Sequence, residues 1–156
     1  MAGRITVMNE LAKDAKLKGQ FIVAVKQVYE GAYTNFLIGL LGEGLCTKGS
    51  SGLELDKRLA FAPAITVIKH VGDTFTNSEF LQFLETHGIG TLRIAGLDGC
   101  YCVKSTVLSA LGRGYGVELV EDGVLSISQE SWKTCRTELE EKGAHLVQAP
   151  QLEGTL

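Results

Sequence analysis

The segment from residue 92 to residue 107, LRIAGLDGCYCVKSTV, constrains the fold of this chain more than any other part. It begins as an apolar strand, passes through a turn that contains Gly96 and Gly99, and ends in a helical pattern. A strand, a tight turn and a helix in this order form the repeating unit of parallel sheets. The segment therefore predicts an α/β fold with a turn at the carboxyl end of a strand.

The rest of the chain repeats the same alternation. Apolar runs predict strands at 21–25, 64–68, 91–96, 116–120 and 145–148. Periodic apolar positions predict helices at 4–18, 77–86 and 102–113. A further helix is predicted with either Ser126 or Ser128 as its N-cap. This order predicts one domain over residues 1–156, built as a three-layer α/β fold with a mostly parallel sheet and helices on both faces. Residues 30–62 are predicted to form a loop-rich cover or interface, and residues 149–156 a loose tail.

Composition excludes several function classes. The net charge of -3 offers no basic footprint for nucleic acid, and no apolar run is long enough to span a membrane, so we predict a cytoplasmic protein. The chain has no C-x-x-C pair and no paired histidine spacing, so neither a metal nor a cofactor is predicted. Four reduced thiols are expected, of which Cys46 and Cys135 are interpreted as packing residues.

Cys102 and Lys69 are the two candidate catalytic side chains. Cys102 is predicted at the start of a helix, where unpaired N–H groups favour a thiolate and can hold a negative oxygen. Lys69 ends a buried strand, and the carboxyl ends of parallel strands meet at one edge, so its ammonium and the thiol can lie close together. The alternatives are a buried packing cysteine and an exposed lysine that ends a strand in water.

Several segments together resemble the isochorismatase-like cysteine hydrolases, the family that includes nicotinamidases, N-carbamoylsarcosine amidases and ureidoacrylate amidohydrolases. The nucleophile segment of that family and the strand after it are similar to Gly96-Leu97-Asp98-Gly99-Cys100-Tyr101-Cys102-Val103-Lys104-Ser105-Thr106-Val107, followed by Ala110, Gly114-Tyr115, Val117 and Asp122. The segment that bears the catalytic lysine is similar to Gly52-Leu53-Glu54-Leu55 and to Ile68-Lys69 followed by Asp73-Thr74-Phe75.

The resemblance implies a role for each matching residue. Cys102 would be the nucleophile, Lys69 the catalytic lysine, and the backbone N–H groups of Asp98 and Cys102 the oxyanion hole. A cis peptide bond is implied between Leu97 and Asp98. Apart from the resemblance, Tyr101 is a candidate substrate-binding residue or a plain packing residue, as are Tyr29, Tyr33 and Phe36.

The chain departs from the family pattern in three places. No hydrophobic strand precedes Arg4, so the family's strand with its catalytic aspartate is not visible; a partial sequence, a misplaced start and a shortened inactive relative all remain open. Cys100 stands where many relatives carry aspartate, and Asp98 where a small apolar residue is usual. Residues 27–30, QVYE, replace the metal-binding histidine pattern of nicotinamidases, which disfavours a zinc-dependent enzyme.

Three functional hypotheses follow. The first is a hydrolase that cleaves a C–N bond of a small amide or ureido compound through a covalent Cys102 intermediate, in a homo-oligomer such as a dimer or tetramer. The second is an impaired or inactive relative that serves as an oligomeric or small-ligand-binding module. The third treats Cys100 and Cys102 as a redox or metal pair.

Overall fold

The computed structural model describes residues 2–29 and 54–150, and every structural statement below concerns those residues. The helices are α1 (Ala2–Leu17), α2 (Ser78–Thr86), α3 (Lys104–Gly112) and α4 (Gln129–Glu141); the strands are β1 (Val23–Gln27), β2 (Ile65–Lys69), β3 (Thr91–Leu97), β4 (Gly116–Leu125) and β5 (His145–Val147). A 3-10 turn at Thr74–Thr76 and a π turn at Gly99–Val103 connect them. The predicted α/β fold is confirmed. Most of the predicted cover segment, with Tyr33, Phe36 and Cys46, lies outside the described residues, as does the tail from residue 151.

All strand pairs in the described residues are parallel. β1 pairs with β2 from Val23↔Ile65 to Gln27↔Lys69, and β4 lies between β3 and β5 in a second sheet. Hydrogen bonds thus divide the described strands into a two-stranded and a three-stranded sheet. The register of the first sheet places Gln27 beside Lys69 at the carboxyl ends of their strands.

β4 is longer than the sequence predicts. Its ladder with β3 changes register after Ile94, so that Gly96 pairs with Val124 and Leu97 with Leu125. Val124 is buried, and this apolar anchor continues the strand beyond the acidic pair at positions 121 and 122, where the prediction ended it. β4 therefore supports β3 as far as Leu97, two residues before the turn that carries Cys102.

One hydrophobic cluster joins the two sheets. Val67 comes from β2 and Leu119 from β4, and both are fully buried. The remaining buried members come from the helices, the turns and β4; they are Phe75, Phe80, Leu84, Val103, Val107, Ala110, Val117, Val124, Trp132, Leu139 and Ala144. Because α3 supplies the fully buried members Val107 and Ala110, the helix after Cys102 is held in the core.

Side-chain caps begin two of the helices. Asn77 caps α2 as predicted, with its Oδ1 accepting from the N–H of Phe80 at 2.9 Å. Of the two serines proposed to cap α4, it is Ser128 that does so, and its Oγ accepts from the N–H of Ser131 at 3.2 Å. Ser126 lies two residues before this cap, and its hydroxyl is directed at the carboxylate of Asp98.

An ion-pair network attaches α1 to the second sheet. The carboxylate of Asp14 lies 2.9 Å from both Lys18 Nζ and Arg93 Nη1, and Arg93 also pairs with Glu118 at 2.7 Å. The hydrogen bond from Lys18 is the main cause that lowers the pKa of Asp14, and the bond to Glu118 is the main cause that raises the pKa of Arg93. Both shifts favour the charged forms that hold α1 in place.

No helix in the described part of the chain is long and apolar enough to cross a membrane.

Candidate functional site

The sequence predicts Cys102 in the first turn of α3, but it lies in the π turn Gly99–Val103, just before that helix. The turn has this form because the backbone oxygen of Asp98 accepts from the N–H of Val103 at 3.0 Å, five residues later. The peptide bond between Leu97 and Asp98 is cis. Gly99 is required here: a Cβ at this position would lie 2.6 Å from the ring of Trp132 in α4.

Asp98 accepts from most of the N–H groups in this turn. Its Oδ1 accepts from the N–H of Cys100 at 2.9 Å, and its backbone oxygen accepts from Tyr101 at 3.2 Å as well as from Val103. Among the loop, turn and cap hydrogen bonds of the described residues, none is donated by the N–H of Asp98 or of Cys102. These are the two donors that the resemblance assigns to an oxyanion hole.

The cysteines differ from expectation. Cys100 and Cys135 form a disulfide with their Cα atoms 5.8 Å apart, so the prediction of reduced thiols is wrong for this pair, and Cys135 is more than a packing residue. The sequence hides the pair because 35 positions separate the two residues, and only the packing of α4 on the π turn brings them together. Cys102 is free and partly exposed, and the proposed pairing of Cys100 with Cys102 is not found.

We expect the disulfide to stabilise the fold. A cross-link that closes a 35-residue loop is worth about 3–4 kcal/mol of unfolding free energy in the chain-entropy account. Cys135→Ser should lower the unfolding free energy by about that amount, as measured by urea denaturation without reductant. Dithiothreitol should destabilise the wild type equally and leave the variant unchanged. Equal stability of the wild type with and without reductant would contradict the expectation.

Lys69 is buried, so the alternative of an exposed lysine in water is wrong. Only 5% of the residue is exposed, and its ammonium donates to Gln27 Oε1 at 2.6 Å and to the backbone oxygens of Val71 and Gly72 at 2.9 Å each. None of the ion pairs in the described residues includes Lys69. Within residues 2–29 and 54–150 this buried ammonium faces neutral oxygens and no carboxylate, so its positive charge is not balanced by those residues.

Gln27 was not a candidate from the sequence. Its side-chain oxygen faces Lys69, while its Nε2 is buried and has no hydrogen-bond partner among the residues that the structure describes. The signal that could have identified it is the pairing of β1 with β2, which brings residue 27 beside residue 69. That register depends on contacts between strands about 40 positions apart, which local periodicity does not report.

The loop after Lys69 packs on the helix after Cys102. A Cβ on Gly72 would lie 3.5 Å from Ser105 Oγ, and the N–H of Thr74 donates to Thr106 Oγ1 at 3.2 Å. Ser109 Oγ also donates to Asp73 Oδ2 at 2.5 Å. The two elements that carry the candidate residues therefore meet along α3.

An open cavity of about 470 Å³ lies at the carboxyl end of β2, lined by Ile68, Lys69, His70, Val71, Thr76, Asn77 and Ser78. Its size is in the range of small-molecule sites. Tyr101 is 70% exposed and does not line this cavity, so its substrate role stays a prediction. In the described residues, no three His, Cys, Asp or Glu side chains lie close enough to hold a metal ion.

The curated relatives match only part of their own length. The nicotinamidase of Escherichia coli K12 is 31% identical over 97 residues, which cover 53% of this chain and 45% of that protein. The uncharacterized isochorismatase family protein YddQ of Bacillus subtilis 168 is 32% identical over 56 residues, or 36% of this chain and 31% of that protein. The matched regions thus span less than half of either relative.

Solved structures match more completely. N-carbamoylsarcosine amidase from Thermoplasma acidophilum superposes with a TM-score of 0.81 and 24% identity, covering 98% of this chain and 86% of the other. Pyrazinamidase of Pyrococcus horikoshii, in complex with zinc, gives a TM-score of 0.81 and 26% identity, with 93% and 84% covered. The family model described as "Isochorismatase domain" matches residues 1–151, and the chain therefore belongs to the isochorismatase family.

Proposed function

We propose that this protein hydrolyses a C–N bond of a small amide or ureido compound through a covalent intermediate on Cys102. The observation that carries the proposal is the free, partly exposed thiol of Cys102 in a turn whose neighbouring N–H groups already donate to Asp98. The packing of the Lys69 loop on α3 supports it, because it brings a buried positive charge to the helix that follows the thiol.

The proposed reaction has two steps. The sulfur of Cys102 attacks the carbonyl carbon, a C–S bond forms, and the carbonyl oxygen becomes an oxyanion held by the N–H groups of Asp98 and Cys102. The oxyanion collapses, the C–N bond breaks, and the nitrogen leaves as ammonia or an amine with the proton that the thiol released. Water then attacks the thioester carbon, the C–S bond breaks, and an acid is released while the sulfur recovers its proton.

Lys69 has an electrostatic role in this proposal. All three N–H groups of its ammonium are used within the chain, so it stabilises negative charge near the site and donates no hydrogen bond to the substrate. Its burial strengthens this effect because charges interact more strongly away from water.

Ammonia release tests the proposal. The names of the related proteins suggest nicotinamide, pyrazinamide and N-carbamoylsarcosine as first substrates. We expect ammonia from at least one of them or from another small ureido compound, and intact-protein mass spectrometry after rapid acid quench should show an acyl adduct that maps to Cys102. Ammonia release without any adduct on Cys102, or an adduct on another cysteine, would contradict the mechanism.

A second candidate is a non-catalytic module that binds a small ligand or assembles as a homo-oligomer. Two observations on the described residues favour it. The ammonium of Lys69 has no carboxylate partner there, and no acceptor for the thiol proton of Cys102 is evident there. Light scattering after size-exclusion chromatography, combined with the amide panel, separates the two. A monomer that releases ammonia would reject the second candidate.

The single domain over residues 1–156 and the cytoplasmic location stay predictions.

A further inference from the structure

We infer that the carboxylate of Asp98 is a positioning residue that sets the orientation of the turn carrying Cys102. The inference rests on the proposed function and adds a side chain that the sequence analysis used only for its backbone N–H. Asp98 is 7% exposed, so its carboxylate is removed from water and must be satisfied by the protein.

The carboxylate joins two separate segments. Oδ1 accepts from the N–H of Cys100 inside the π turn at 2.9 Å, and Oδ2 accepts from the N–H of Ile127 at 2.6 Å. Ser126 adds a longer contact, with its Oγ 3.4 Å from both oxygens. The nucleophile turn is thereby attached to the connection between β4 and α4, across 29 positions of sequence.

The partners of Asp98 require a carboxylate in particular. Both nearest partners are backbone N–H donors on opposite oxygens, and an ionised carboxylate is the side chain that accepts on both sides. An asparagine of the same shape would place its NH₂ group against one of these N–H groups. Replacing the charge therefore breaks one of the two bonds without changing the volume.

Asp98 determines which N–H groups of the turn are available to a substrate. Asp98 accepts from the N–H groups of residues 100, 101 and 103 through its side chain and backbone oxygen. The N–H groups of Asp98 and Cys102, the two proposed oxyanion donors, are not among these, and neither donates in the loop, turn and cap hydrogen bonds of the described residues. If the carboxylate bond to the turn is lost, the turn can rotate, and both the N–H of Cys102 and its sulfur lose their alignment.

Other contacts keep the turn attached when the carboxylate is changed. The disulfide from Cys100 to Cys135 and the packing of Gly99 against Trp132 both remain. We therefore expect an Asp98 variant to fold, so that its effect on orientation can be measured.

The test compares Asp98→Asn and Asp98→Ala with Asp122→Asn. Asp122 also accepts a backbone N–H, that of Ala149 at 2.9 Å, and within the described part of the chain it has no hydrogen bond to the turn or to Lys69, which makes it a matched control. We expect both Asp98 variants to lower kcat about 10–100-fold with KM nearly unchanged, because a small misplacement of reacting groups has effects of that size. They should also slow alkylation of Cys102 by iodoacetamide, whereas Asp122→Asn should change neither.

The outcomes are distinct. The inference would be overturned if Asp98→Asn lowers stability but keeps the wild-type kcat and the wild-type alkylation rate of Cys102. Asp98 would then only cap the turn and would not orient the reacting groups. If the wild type itself releases no ammonia, the proposed function fails, and the alkylation rates of Cys102 in the folded proteins still decide the role of Asp98. Should Asp98→Ala not fold, Asp98→Asn, which has the same volume, provides both measurements.

Discussion

Cys102→Ala is expected to abolish C–N hydrolysis while the protein folds as the wild type does. Removing a catalytic nucleophile typically lowers kcat by a factor on the order of 10⁴–10⁶, and the activity that remains comes from binding and the oxyanion donors alone. The thiol is free and partly exposed, so its loss should change the unfolding free energy by no more than about 1 kcal/mol. Ammonia release and urea denaturation measure the two effects.

The matched control uses another cysteine of the same sequence. Cys46 is predicted from the sequence to be a packing residue, so Cys46→Ala should keep the acyl adduct on Cys102, whereas Cys102→Ala should lose that adduct altogether. Substrate turnover by Cys102→Ala within tenfold of the wild type would exclude Cys102 as the nucleophile. In that case hydrolysis would not proceed through an intermediate on Cys102, and the proposed mechanism would be wrong.

Lys69→Met is expected to affect both stability and activity. Methionine has a similar length but no donors, so Gln27 Oε1 and the backbone oxygens of Val71 and Gly72 would lose their partner. A buried acceptor left unsatisfied costs about 1–3 kcal/mol, and we expect an overall loss of unfolding free energy in the upper part of that range. Loss of the buried positive charge should lower kcat about 100-fold or more, as for other preorganised charges.

Lys26→Met is the control for that variant. Lys26 lies on the neighbouring strand and pairs with Glu54 at 3.3 Å, but the Glu54 side chain is 85% exposed. Such surface pairs contribute about 0–1 kcal/mol, so this variant should behave almost as the wild type does. Urea denaturation and steady-state kinetics on both variants separate the effect of the buried Lys69 from that of the half-buried Lys26, whose partner is exposed. Equal behaviour of the two variants would contradict the role assigned to Lys69.

The sequence predicts features that depend on neighbouring residues and misses features that depend on contacts between distant residues. Strands and helices were predicted because apolar periodicity and capping residues such as Asn77 act within a few positions. The sequence predictions for the carboxyl end of β4 and for the start of α3 are wrong because Val124 and Val103 are held by contacts from other elements. The predicted helix start and strand end indicate Cys102 and Lys69 as candidates, and the family resemblance implies their roles, but neither carries information about Gln27 or the Asp98 carboxylate.

The order of the elements, the α/β class and the family could all be read from the amino-acid sequence, because each is encoded in short segments whose residues act on their own neighbours. The contacts that give the candidate site its character needed the tertiary structure. Lys69 meets Gln27 across 42 positions, Cys100 meets Cys135 across 35, and Asp98 meets Ile127 across 29. Such contacts exist only after the strands pair and α4 packs, since burial and hydrogen bonding between distant residues are properties of the folded chain and not of any local pattern.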